Sequence, residues 1–451
     1  MELQGKKVLV LGLARSGVAS IHVLLKHGAI VIANDSAKLS KVEKDVAALA
    51  GLPVEIILER HPIELLDQGL DLIVKNPGIP YDIPFLQAAR VKGIPVVSEV
   101  ELAWQVTKAP LVCITGSNGK TTTTAWVGEI LRQDRENVHV AGNIGLPLSE
   151  EVDGLDENHI VVVELSSFQL NDILDFRPKV ATLLNVYNTH RDWHHTAENY
   201  LEAKSHIFLN QTAEDWAILN AENEEVMSLS PRIKAHQMTF SHLHAVEEGA
   251  WLENGKIMFR IKGVTETVLP LDELGIGYAH NYQNAMAAAL TAYAAGASLD
   301  AIRKGLHSFQ GVEHRFQIVA RINGVLYIND SKATNSQAAL VALSLPAEPI
   351  VLIAGGLDRG QDFTEFAQSI KNHCKAVILL GQTKERIRQV LGELNFTNVT
   401  MVNDMEEAVE QSRKLSREGD CVLLSPACAS WDMYPSFEVR GQSFMEAVTR
   451  K

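Results

Sequence analysis

The sequence predicts an α/β protein of three domains, and three observations carry that prediction. At 451 residues the chain exceeds what a single hydrophobic core serves. Short β-branched apolar runs alternate with amphipathic helix-like stretches, as strands buried on both faces of a parallel sheet do. That rhythm breaks near residues 98 to 110 and starts afresh after Gly311.

The first run, residues 1–98, contains the strand candidates KKVLVLGL, AIVIAND and LDLIVKNPG and reads as a Rossmann-like domain. SEVELAWQVTKAP then carries a helix-like segment into Lys-Ala-Pro, a linker before a new sheet at Leu111. Residues 99–310 form the second domain, with strands LVCITG, IVVVEL and KVATLLN. From about 232 to 272 the pattern changes to short alternating segments split by Asn-Gly, a hairpin signal that predicts a small antiparallel insertion or sheet edge. Helices return in NYQNAMAAALTAYAAGA and LDAIRKGLHSF, and residues 311–451 hold a third α/β run: GVLYIND, EPIVLIAGG, KAVILLG and DCVLLSP.

Charge and composition narrow the function. A formal charge of -14 argues against nucleic acid or an anionic membrane as partner. Cys113, Cys374, Cys421 and Cys428 lie far apart, without a C-x-x-C pair, so a reducing cytoplasm is expected rather than a disulfide framework or zinc ribbon. MELQGKKVLVLGL enters a short strand without a signal-peptide pattern, and no apolar run reaches the roughly 18 residues of a membrane helix.

KVLVLGLARSG places Gly12 and Gly17 at the outer positions of G-x-G-x-x-G, with Ala14 in the middle. Gly12 would allow the tight turn and Gly17 close helix packing, while Ala14 would hinder backbone approach to a pyrophosphate. Asp35 ends the next strand, where a ribose-binding carboxylate sits in dinucleotide domains. The bland reading is a glycine turn in a Rossmann-like sheet; as a ligand, a nucleotide diphosphate other than NAD is favoured over NAD, and the residues alone leave the choice open.

ITGSNGKTTTTAW looks like a phosphate loop lacking its first glycine, since Ile114 occupies that place. The order strand, loop, helix is nevertheless the required context. Backbone N–H groups from Ser117 to Thr121, a stretch that includes Asn118 and Gly119 and follows Gly116, can face phosphate oxygens. Lys120 supplies a point charge, and Thr121 or Thr122 a hydroxyl for Mg²⁺. No [NT]-K-x-D segment supports guanine, so ATP is expected. Glu164 ends the strand IVVVEL as a Walker-B-like acid, its bland alternative being a cap or salt bridge. NVYNTHRDWHH gathers His190, Asp192, His194 and His195; a solvated loop is a simpler reading than zinc, and His190 is the candidate metal ligand, substrate contact or base.

With TGSNGKTTTT, ELSSFQL, NVYNTHRD, HNYQNAMAA, INDSKATN and SPACASWDMYPSFEVRG in order, the chain resembles the ATP-dependent Mur ligases of peptidoglycan synthesis. The resemblance runs from the first strand to the last helix and points to the D-glutamate-adding branch. It implies a Rossmann-like domain for the UDP end of the substrate, a central ATPase domain, and a C-terminal Rossmann-like domain for the amino acid. It further implies ligation of D-glutamate to UDP-N-acetylmuramoyl-L-alanine through an acyl phosphate, with ATP and two Mg²⁺ ions, by a cytoplasmic monomer.

Residue by residue, the resemblance assigns Leu13, Ala14, Arg15, Asp35, Ser36, Asn76 and Gly78 to the UDP end, and Asn143, Gln169 and His190 to the sugar and peptide part. Asn281 and Asn284 match an adenine-contacting pair, whose bland alternative is helix capping. Arg315 matches a γ-phosphate contact and Asp330 a residue near the ribose and magnesium. Lys204, by default a solvated lysine, aligns with a lysine carbamylated by CO₂ to a metal-binding N6-carboxylysine, which requires a neutral, desolvated amine. Lys332, Thr334, Ser430 and Phe437 match the D-glutamate pocket. Arg359 stands in GGLDRGQDF where some relatives place lysine; it could pair a carboxylate bidentately.

Other branches fit less well. The alanine-adding enzymes carry GTHGKT and the diaminopimelate-adding ones D-N-P-R, both absent here. Folylpolyglutamate synthases lack a preceding UDP-binding domain. A nucleotide-dependent switch or binding protein would not need the acid, histidine and lysine at 164, 190 and 204.

Overall fold

The computed structural model describes residues 2–143, 145–187, 194–277 and 279–450. The chain divides into two compact units, Met1–Phe309 and Gln310–Lys451. The first unit contains two sheets and the second contains one.

The first sheet comprises β1 (Lys7–Leu11), β2 (Ile30–Asn34), β3 (Val54–Ile57), β4 (Leu72–Lys75) and β5 (Val96–Ser98), in the order β3-β2-β1-β4-β5, all parallel. The order reverses between β1 and β4, so a crevice for ligands opens past their C-terminal ends. Gly12 takes φ +98°, and a Cβ there would meet Asn76 Cβ at 2.6 Å. A Cβ on Gly17 would lie 2.0 Å from the Gly12 carbonyl, which is the close approach of helix Arg15–Lys26 expected from the two outer glycines.

The second sheet has nine strands: β6 (Leu111–Thr115), β7 (Val138–Gly142), β8 (Ile160–Glu164), β9 (Val180–Leu183), β10 (Trp216–Asn220), β11 (His236–Ser241), β12 (Gly249–Glu253), β13 (Lys256–Ile261) and β14 (Val264–Pro270). Their order is β14-β13-β12-β11-β10-β9-β6-β8-β7. The alternating stretch is an extension of the sheet edge. β11 and β12 still pair in parallel, and only β12-β13-β14 is antiparallel, turning at Asn254-Gly255. Helices Lys120–Arg132, Tyr282–Ala294 and Leu299–Ser308 pack together, with the Trp126 indole donating to Gly305 O at 3.1 Å and stacking on Phe309 at 4.8 Å.

Within this unit the two sheets are joined by polar contacts as well as packing. Lys75, at the end of β4, makes a 3.1 Å ion pair with Asp172, and both side chains are buried. The Ser98 N–H donates to Asp172 O at 2.6 Å. Helix Glu99–Val106 follows directly, and its Glu101 carboxylate accepts the N–H groups of Leu174 and Phe176, each at 2.9 Å.

The second unit holds β15 (Gln317–Ile322), β16 (Val325–Asn329), β17 (Ile350–Ala354), β18 (Cys374–Leu379), β19 (Val399–Met401) and β20 (Cys421–Leu424). The order is β15-β16-β20-β17-β18-β19, parallel except for the edge strand β15. Separate apolar clusters cover its two faces, as expected for near-continuous apolar strands. All four cysteines are free and buried.

Candidate active site

The apparent defect in the phosphate loop has a local cause. Ile114 is a strand residue of β6, paired with both β8 and β9, so the loop starts two residues later. Gly119 caps helix Lys120–Arg132 at φ +82°, a left-handed conformation that glycine takes without strain, and a Cβ there would meet Asn284 Oδ1 at 2.3 Å. One expectation needs correcting. The N–H groups of Ser117 and Asn118 do not face outward; they donate to Asn185 O at 2.9 Å and to Asn185 Oδ1 at 2.8 Å. The N–H groups of Lys120, Thr121 and Thr122 have no intrahelical partner by construction, which gives the helix start the donors an anion would need.

Lys120 Nζ folds back onto the carbonyls of Gly116 and Ser117 at 2.8 and 2.9 Å. Thr121 is buried and Thr122 half-buried at the helix start. Behind the loop stands Lys204, 1% exposed, on helix Ala197–Ser205. Its amine donates to Gly116 O at 2.9 Å and Thr115 Oγ1 at 3.3 Å and lies 4.8 Å from the Tyr200 ring centre. It is not the solvated lysine that composition alone suggests. Burial, reinforced by the charge of Lys120 and opposed by Glu164, holds its pKa well below the usual lysine value.

Glu164 ends β8 with its carboxylate buried. Oε1 accepts from Asn143 Nδ2 at 2.8 Å, whereas Oε2 has no hydrogen-bond partner among the described residues. Among the described residues it neither caps a helix nor forms a salt bridge. A buried carboxylate oxygen left open beside a phosphate loop, with threonine hydroxyls at the helix start, fits a hard divalent cation such as Mg²⁺.

Asn281 and Asn284 come to the same loop. Asn284 Nδ2 donates to Asn281 Oδ1 at 3.1 Å, and Thr123 Oγ1 lies 3.4 Å from Asn284 Oδ1. Asn281 precedes helix Tyr282–Ala294 but makes no side-chain capping bond, so capping does not explain it. Gln169 does serve a cap: with Ser166 it forms a capping box, its Oε1 accepting from Ser166 N at 2.9 Å. His190 and Asp192 lie outside the described residues. Buried His194 pairs Nε2 with Ser167 Oγ at 2.9 Å.

At the switch point of the first sheet, Asp35 ties two loops. Its carboxylate accepts from Leu13 N at 2.8 Å and Ala37 N at 2.7 Å, placing Ala14 and Ser36 on either side of one crevice. Asn76 donates to Ser16 Oγ at 2.8 Å and accepts from Gly78 N at 3.0 Å. Arg15 reaches toward the second sheet's loops, with Gly145 O at 3.3 Å and Glu150 at 3.5 Å. A cavity of about 580 Å³ lined by Tyr81, Asn171, His194 and Glu202 includes none of the phosphate-loop residues.

In the second unit Asp330 follows β16. It accepts from Phe316 N at 3.1 Å and Ser425 Oγ at 2.9 Å, and burial raises its pKa to about 7 against the hydrogen bonds and the Arg315 charge. Arg315 is half-buried, and its Nε has no hydrogen-bond partner among the described residues. Lys332 Nζ lies 5.8 Å from the Phe437 ring centre, and half-buried Thr334 follows on the same turn. Ser430 Oγ is buried without a hydrogen-bond partner among the described residues. Arg359 stacks on the Trp431 ring at 4.7 Å.

Sequence reasoning missed Asn185, which holds the phosphate loop, the Lys75–Asp172 pair, and Arg440, whose guanidinium is buried behind the Ser331 turn. Asn185 opens the segment NVYN, and nothing in one sequence says that this asparagine turns inward.

A parallel-dominated α/β chain with a phosphate loop set over a buried lysine and an open carboxylate defines a class: enzymes that draw on a nucleoside triphosphate. Family models narrow it. Residues 6–98 match the Mur ligase MurD-like N-terminal domain, 114–292 the Mur ligase middle domain, and 314–428 the Mur ligase glutamate ligase domain. Over 450 residues the chain is 44% identical to the UDP-N-acetylmuramoylalanine--D-glutamate ligase of Alkaliphilus metalliredigens, covering 100% of this chain and 99% of that protein. It is also 44% identical to the enzyme of that name from Bacillus subtilis, covering 99% and 98%. A crystal structure of MurF from Acinetobacter baumannii shares the fold, with a TM-score of 0.60 at 18% identity, covering 97% and 93%. The chain belongs to the Mur ligase family.

Proposed function

We infer that this chain is an ATP-dependent amide-bond ligase that adds D-glutamate to UDP-N-acetylmuramoyl-L-alanine, releasing ADP and phosphate, in cytoplasmic peptidoglycan precursor synthesis. The single geometric observation that carries the chemistry is the buried Lys204 beside the open Glu164 oxygen, behind one phosphate loop. The choice of substrates rests on the full-length relatives named for that reaction.

In this reading residues 1–98 serve the UDP end, 99–310 ATP and 311–451 the amino acid, each range containing one of the matched family segments. A carboxylate is a poor acyl donor, so the substrate carboxylate oxygen attacks the γ-phosphorus and ADP leaves. The amine nitrogen of D-glutamate then adds to the acyl-phosphate carbon. The tetrahedral intermediate collapses with loss of phosphate, and the amine gives up a proton as the amide forms. Lys120 and the first-turn amides meet the phosphate charge, and Asn281 and Asn284 take the adenine end. The resemblance assigns Arg315 to the γ-phosphate and Asp330 to the ribose and magnesium.

Glu164, Thr121, His190 and a carboxylated Lys204 would hold two Mg²⁺ ions, which when bound offset the repulsion between the reacting anions. For that modification the neutral Lys204 nitrogen attacks CO₂ carbon and loses a proton, leaving a carbamate. Leu13, Ala14, Arg15, Asp35, Ser36, Asn76 and Gly78 line the uridine crevice, with Asn143, Gln169 and His190 toward the acyl end. Lys332, Thr334, Arg359, Ser430 and Phe437 bind D-glutamate. The chain is read as acting as a monomer.

Phosphate release from ATP in the presence of UDP-N-acetylmuramoyl-L-alanine tests the assignment. Turnover is expected with D-glutamate and not with L-glutamate, glycine or diaminopimelate; release indifferent to D-glutamate overturns it.

A further inference from the structure

Among the large side chains of the second unit, Arg440 is 1% exposed although it carries a charge. It sits in the first turn of helix Phe437–Thr449, whose cap is Ser436. Among the described residues no carboxylate lies within ion-pair distance of it. Instead its fork is spent on loop backbone and hydroxyl groups. Nε donates to Ser331 Oγ at 3.0 Å, Nη2 to Ser331 O at 2.8 Å and Nη1 to Cys428 O at 3.0 Å. The Ser331 hydroxyl in turn donates to Phe437 O at 2.8 Å. Gly356 presses against the same guanidinium: a Cβ there would come within 3.3 Å of Nη1.

These anchor points are next to the residues assigned to the amino acid. Ser331 precedes Lys332 and Thr334, Cys428 lies two residues before Ser430, Gly356 three before Arg359, and Phe437 is itself an anchor. We propose that Arg440 is a positioning residue for the amino-acid pocket, tying the turn after β16, the loop after β20 and the start of the last helix into one fixed frame. Inferring its effect on D-glutamate rests on the ligase reading. The geometry explains why arginine stands here: three donors diverging in one plane reach two loops at once, which a single ammonium does not. It also explains how a bare charge persists in the core, since carbonyl dipoles from two loops take the place of water. Burial lowers its pKa only to about 10, so the fork stays protonated at neutral pH.

The test compares Arg440→Lys with the parent, both as the full chain. The expected result is a rise of about ten-fold in KM for D-glutamate, the order of losing one charge-assisted hydrogen bond, with KM for ATP and for the nucleotide substrate unchanged. Hydrogen exchange, read without any substrate, should speed up at the amides of 331–334 and 428–431 and stay slow in the strands of the same sheet. An unchanged KM for D-glutamate overturns the proposal, as does an equal rise in all three KM values or exchange that quickens throughout the unit. Should the parent itself ignore D-glutamate, the ligase reading fails, while the exchange pattern still decides whether Arg440 ties the loops.

Discussion

Lys204 in the first unit and Arg440 in the second are both 1% exposed, and both donate to backbone carbonyl and hydroxyl oxygens rather than to carboxylates. Burial acts on the two alike but ends differently. The lysine pKa falls well below its usual value, whereas that of the arginine stops at about 10. Sealing a lysine in a protein favours the neutral form of its amine, while sealing an arginine leaves a charged fork that organises its surroundings. The region around Lys204 is thus suited to chemistry and the region around Arg440 to shape.

The sharpest way to break that contrast is Lys204→Arg, which keeps the charge but forbids a neutral amine. It should lower kcat by about 10³-fold, the scale of losing a preorganised charge at the reacting centre. Lys204→Glu, which supplies a carboxylate directly, should retain more activity than Lys204→Ala; equal losses count against carboxylation. Glu164→Gln comes next. It should cost about 10²-fold in kcat and raise the Mg²⁺ concentration needed for half-maximal rate, because the open oxygen is gone. Asn143→Ala leaves Glu164 in place but unoriented, so apparent Mg²⁺ affinity should weaken by about ten-fold, an effect visible in a metal titration at saturating substrates. A titration that does not move would leave Asn143 with a substrate role alone.

The smallest expected effect tests the second unit by pH. Asp330 titrates at about 7 when folded, against an ordinary 3.8, so between these values the folded chain keeps a proton that the unfolded chain releases. That contribution to stability is complete below about pH 4 and is lost as pH rises through about 7. Without nucleotide, the gap in thermal stability between the parent and Asp330→Asn should therefore change between pH 5 and pH 8, in the direction that costs the parent at high pH. A constant gap would show that Asp330 ionises normally.

The parts of this picture that one sequence reveals are the contiguous ones. Strand, glycine loop and helix around Lys120 are specified by neighbours along the chain, and apolar runs of β-branched residues mark the sheets. The hairpin at Asn254-Gly255 was likewise visible from its turn residues. Partners across the fold left no such trace. Asn185 meets Asn118 across 67 residues, and Arg440 meets Ser331 across 109. Nor does spacing report burial, so Lys204 reads as a helix-surface residue until its helix is docked behind the phosphate loop. The resemblance to a family located Lys204, but only the packing supplies the reason that its pKa is depressed.

The Lys75–Asp172 pair carries a consequence for recombination. A chimera that replaced the first 98 residues by another uridine-nucleotide module with an apolar side chain at position 75 would seal Asp172 in the interface opposite nothing, a defect of several kcal/mol. The two modules are therefore matched parts, inherited together or repaired together, and an exchange that brought its own cation to position 75 is the one that would assemble.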